Sequence, residues 1–153
     1  MSRLRPDDEC GGKRTMTERM DWKHAFAPSL ADFEQMAAAA WDRLPPEFRQ
    51  MCGDVVLRIE DFALDEVLEE LDIDSPFDLM GLYQGLSLDK KSVSDASAEP
   101  DMVLLYRRAI LDYWAENDEK LGDLIIHVLV HEIGHHFGFS DADMEEIESA
   151  ASV

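Results

Sequence analysis

The stretch LGDLIIHVLVHEIGHHFGFSDADMEEIESA, residues 121–150, decides how this chain is read. Its first half is apolar on nearly every face, with Leu124, Ile125, Ile126, Val128, Leu129 and Ile133 close together, the pattern of a helix buried in a core. Asp118 or Asp123 is the expected start of that helix. Set into the run is His131-Glu132-Ile133-Gly134-His135, an H-E-x-x-H. Residues four apart share one helical face, so both imidazoles reach a single zinc ion. Glu132 leaves the helix about 100° from His131, beside the metal rather than on it, where a general base belongs. Zinc lowers the pKa of a bound water to near 7, and a neighbouring carboxylate takes the proton as that water attacks a carbonyl.

Two histidines are too few, because catalytic zinc takes three protein ligands and keeps a fourth position open. Gly138, three residues past His135, can adopt positive φ, end the helix and reverse the chain. The reversal swings Asp141 toward the metal. The metal set expected here is therefore His131, His135 and Asp141, with Glu132 catalytic and Zn2+ as the ion. The competing reading of Asp141 is local. Ser140-Asp141-Ala142-Asp143 looks like a helix start, with Ser140 as cap and Asp143 closing a capping box. Asp143, Glu145 and Glu146 are the fallback ligands, since a glutamate from a following helix also completes zinc sites. His127 lies among Ile125, Ile126, Val128 and Leu129 and reads as a satisfied core histidine; the alternative puts it beside the metal or on it. His136 points to another face, toward a supporting or surface role. Gly134 costs a helix about 1 kcal/mol relative to Ala, which close approach of a strand or substrate would explain. Tyr83 and Tyr106 are weaker candidates for a second oxyanion donor, each more readily read as core or rim.

Upstream, the expected elements alternate. Ser29 caps a helix whose apolar positions run from Leu30 through Phe33, Ala37, Ala40 and Trp41 to Leu44, where Pro45-Pro46 stops it. VVLRIEDF, residues 55–62, reads as a strand, followed by a short acidic helix over residues 64–71 and a possible strand over 81–84. A polar loop over residues 87–101 is expected to be the most mobile internal segment. MVLLYRR reads as another strand, residues 109–116 as a helix and DADMEEIESA as the last helix. Residues 1–21, with Pro6, an acidic run and Gly11-Gly12, read as a disordered tail before one domain over 22–153. Met16 and Met20 are alternative starts.

A net charge of −20 argues against nucleic acid and anionic membrane as partners. Neither a membrane-length apolar run nor a secretory h-region stands out, so a cytoplasmic protein is expected. Cys10 and Cys52 have no C-x-x-C spacing, which leaves any metal to nitrogen and oxygen ligands.

The full pattern H-E-x-x-H-x-x-G-x-x-D is the long metzincin spelling with Asp in place of the third His. Through HEIGHHFGFSDADM, and also through CGDVVLRIEDF, SPFDLMGLYQG and MVLLYRRAIL, the chain resembles the small bacterial zincin-like metallopeptidases over roughly residues 22–150. That resemblance implies a compact α+β zincin-like domain with a small mixed sheet packed against the H-E-x-x-H helix. It also implies zinc at His131 and His135, Glu132 as base and Asp141 at the acidic third position. The metzincin methionine turn has no clear counterpart in the 12 residues after Asp141.

The preferred function is a zinc-dependent peptidase acting on a peptide or an exposed protein segment, because about 130 ordered residues leave little material for a second lobe around a small molecule. The alternatives are a zinc-binding regulatory or interaction protein with weak or no peptidase activity, and a metal-dependent hydrolase of another bond. Sequence leaves the oligomeric state open.

Overall fold

The computed structural model describes residues 21–85 and 100–152. The expected tail, apart from Asp21, and nearly all of the expected mobile loop lie outside the described residues, as does Cys10. Among the described residues six α-helices and three strands follow one another as α1 (Leu30–Arg43), α2 (Pro46–Cys52), β1 (Val56–Glu60), α3 (Asp65–Glu70), β2 (Gly81–Gln84), β3 (Met102–Tyr106), α4 (Arg107–Glu116), α5 (Leu121–Phe137) and α6 (Asp141–Ala151). The sheet is mixed and its order is β1-β3-β2. β1 runs parallel to β3 with Val56 opposite Met102, and β2 runs antiparallel to β3 with Gly81 opposite Leu105. The architecture is the expected α+β one.

Alternation along β3 divides the apolar side chains between two faces. Val103 and Leu105 join Phe33 and Leu44 of the first helix segment, Ile59, and Leu129 and Ile133 of α5 in the main core. Leu104 and Tyr106 turn the other way, onto Ala63, Leu68 and Ala109. Helix α5 therefore lies across one face of the sheet with α1 beside it. Among the described residues no helix is long and apolar enough to cross a membrane.

Local signals explain most boundaries. Ser29 caps α1 through a full capping box with Asp32. Pro45-Pro46 does end that helix, but Pro46 also opens α2 at its first position, where a missing N–H costs nothing. The strand expected over MVLLYRR ends at Tyr106, the last residue of its apolar run. Arg107 already belongs to α4, because its guanidinium donates to the Pro28 carbonyl at 2.6 Å and pairs with Asp61 at 3.1 Å, turning the chain away from the sheet. Gly138 sits at φ +76 and ends α5, with the Phe139 N–H donating to the Gly134 carbonyl at 2.8 Å. The chain reverses, and α6 packs back along α5.

Gly134 has its explanation in that reversal. A Cβ there would overlap Sδ of Met144 and lie 2.7 Å from its Cγ, and Met144 is fully buried. The expected strand or substrate is instead a methionine of the next helix. Gly134→Ala should lower the melting temperature in calorimetry by about 2–8 °C, because overpacking of about 1–3 kcal/mol outweighs the better helix propensity of Ala. On a Met144→Ala background Gly134→Ala should cost less than it does in the wild type, and strict additivity of the two changes would contradict the contact.

Candidate metal centre and general base

Helix α5 carries four of the chain's five histidines. His127, His131 and His135 recur every four residues and so form one row along the helix. The rings of His127 and His131 are 4.0 Å apart between centroids, and those of His131 and His135 are 5.6 Å apart and nearly perpendicular. His136 leaves the row and stacks on Tyr83 of β2 at 3.9 Å.

Glu132 takes a different direction from its neighbour His131. It faces the sheet, where a Cβ on Gly81 would come within 3.1 Å of the Glu132 Cγ and 2.7 Å of a Val128 methyl. Only a glycine lets strand and helix approach this closely. Wedged there, the Glu132 carboxyl loses water, and burial pushes its pKa up to about 7. A carboxyl with this affinity is suited to taking and releasing a proton near neutrality.

The Tyr83 hydroxyl is already committed, and the Tyr106 ring belongs to a core cluster. The Tyr83 hydroxyl donates to Asp101 at 2.7 Å, and burial together with that carboxylate raises its pKa. Tyr106 is buried in the sheet's second cluster, and burial raises its pKa too. Cys52 is also buried and its thiol is pushed up to about 11, so it supplies no thiolate to a metal at neutral pH.

The expected ligands are not gathered in one place. Asp141 is the first residue of α6 and exposed. The capping box beside it is formed: the Ser140 hydroxyl accepts from the Asp143 N–H at 3.1 Å, and the Asp143 carboxylate accepts from the Ser140 N–H at 3.3 Å. Glu145 and Glu146 are exposed. The glutamate that turns toward α5 is Glu148. Its two carboxylate oxygens meet His127 Nδ1 and His131 Nε2, the latter at 3.1 Å. Ligand atoms of His127, His131 and Glu148 all lie within 4.8 Å of one another, and among the described residues this is the one group of three so assembled. Imidazole and carboxylate donors suit zinc.

His127 is corrected by this arrangement. Its side chain is 47% exposed and bonded to Glu148, so it is not a core histidine, although its sequence neighbours are buried. Glu148 was missed, and its signal lay in helical spacing. It falls four residues after Met144 and three before Ala151, both fully buried, so it occupies the packed stripe of α6 rather than the solvated one.

A family model described as zincin-like metallopeptidase matches residues 52–151, which include α5, α6 and the whole sheet. No curated protein matches the chain.

Burial of Glu132 has a measurable consequence in the metal-free protein. The folded state holds this proton up to about pH 7, whereas the unfolded chain releases it near 4.5. Stability from the neutral carboxyl is thus complete below 4.5 and is lost as pH rises to about 7. Glu132→Gln should match wild type in urea denaturation with chelator near pH 4.5 and exceed it near pH 8 by on the order of 1 kcal/mol, a figure reduced for residual solvent access. An equal difference at both pH values would contradict the shift.

Proposed function

We propose that this chain, which belongs to the zincin-like metallopeptidase family, is a cytoplasmic zinc-dependent peptidase whose domain spans residues 22–153 and whose general base is Glu132. His131 and His135 would hold the zinc, with Asp141 as the third ligand that the motif supplies. Zinc, when bound, polarises a scissile carbonyl and acidifies water. The observation that carries the reading is the position of Glu132, one residue from His131 yet turned to Gly81 of β2 in a setting that raises its pKa.

The chain's own residues then have distinct tasks. Glu132 accepts a proton from the attacking water and returns it to the departing amine, so the carboxyl ends as it began. Among the described residues β2 pairs with β3 on one side, and it lies directly against α5 at Gly81. An extended peptide adding to the other side of β2 by main-chain hydrogen bonds would run past Glu132. Such a substrate needs no deep cavity. The stacked pair of Tyr83 and His136 stands further along the same strand and would touch the side chains of that peptide.

Glu132→Gln should reduce kcat/KM on a mixed peptide library by about 10²- to 10⁴-fold, while zinc affinity in a chelator competition changes by less than about 10-fold. Wild-type protein with zinc bound and no cleavage of unfolded polypeptides would favour the alternative of a zinc-binding interaction protein.

A further inference from the structure

We propose that His127, His131 and Glu148 form a second divalent-metal register, one helical turn before that of the motif and sharing His131 with it. The inference rests on the metal reading above only through that shared imidazole. His127 and His131 stand in the same four-residue relation as His131 and His135, so the row on α5 contains two overlapping pairs. Of the two, the upper pair is the one whose rings lie closer, at 4.0 Å against 5.6 Å.

The third donor is already in place. Two ligands about 2.0–2.2 Å from a tetrahedral ion lie about 3.3–3.6 Å apart. His131 Nε2 and the Glu148 carboxylate are 3.1 Å apart, close to that spacing, and the other oxygen of Glu148 meets His127. Glu148 is also held from both sides along α6. Met144 locks into the notch at Gly134, and the guanidinium of Arg43 donates to the carbonyls of Ala151 and Ser152 at 2.7 and 2.6 Å. The carboxylate therefore needs no large rearrangement to bind.

The cluster is accessible as well. A surface pocket of about 400 Å³ has His127 and Glu148 in its wall, together with the acidic Asp118, Glu119 and Asp123 and one cation, Lys120. Carboxylates around such an opening raise the local concentration of cations. Two imidazoles and one carboxylate select borderline ions such as Zn2+ or Co2+ over Mg2+ or Ca2+. Because His131 serves both registers, an ion held by Glu148 withdraws that ligand from the motif's site. The upper register is thus a place where metal is retained without forming the hydrolytic centre, and each chain holds one ion through His131.

Zinc and Co2+ titrations against a chromophoric chelator, on full-length protein and on variants whose fold is verified by circular dichroism, test this directly. The double variant His135→Ala/Asp141→Ala should retain one equivalent of zinc with an affinity within about 10-fold of wild type. Adding Glu148→Gln or His127→Ala to it should weaken binding by at least about 10²-fold and abolish the tetrahedral Co2+ absorption. Loss of zinc in the double variant itself would overturn the inference and leave the motif's site standing. Unchanged binding after Glu148→Gln and His127→Ala are both added would overturn it too. Failure of the peptidase reading appears in the Glu132 experiment and leaves these isotherms unmoved, so the two failures are distinguishable.

Discussion

Helix α5 is held at two places where a Cβ does not fit. On the sheet side Gly81 admits Val128 and Glu132, and on the other side Gly134 admits Met144. Each contact fixes both distance and rotation, because a helix that rolled by one residue, about 100°, would present a side chain where the notch is needed. The rest of the candidate site follows from that double constraint. Glu132 is pressed against β2, and the histidine row is turned outward along the line on which α6 returns.

This placement separates the chemistry by environment. Among the described residues no polar or charged side chain is fully buried, so the functional groups occupy the margin between core and water. Glu132 lies deepest and shows it, with burial alone raising its pKa to about 7. Glu148, also largely covered, lies against two imidazoles. Two carboxylates on neighbouring surfaces thus acquire different surroundings, Glu132 against the strand and Glu148 between two imidazoles.

Much of this was legible because local signals and global packing agree. The cap at Ser29, the alternation in β3, the αL glycine at position 138 and the apolar density of α5 each pointed to the element that forms. What failed did so where one residue has two meanings. Pro46 breaks one helix and opens another, and Arg107 extends an apolar strand in sequence while its side chain turns the backbone into α4. His127 looked buried because its neighbours are, yet one position on a core helix can face out through a gap that another helix lines with a carboxylate. The motif pointed to His131, Glu132 and His135, and of these the structure sets His131 beside Glu148 and Glu132 against β2. Glu148 is tertiary information, since its value depends on which turn of α5 the returning helix meets.

That meeting is set by the length of the reversal. With only residues 138–140 between the helices, α6 must run antiparallel to α5, and the Met144–Gly134 contact fixes the register. At about 1.5 Å of rise per residue, moving four residues onward along α6 from Met144 reaches the level of α5 four residues before Gly134, between His127 and His131, where Glu148 is found. Moving three residues back from Met144 reaches Asp141, level with the C-terminal end of α5 just beyond His135. A single short helix therefore carries one acidic residue to each end of the histidine row. Inserting or deleting a residue in the turn would shift both carboxylates together, by about 100° and 1.5 Å. The two halves of the row are in this way coupled by the same hairpin, with His131 as the histidine they have in common.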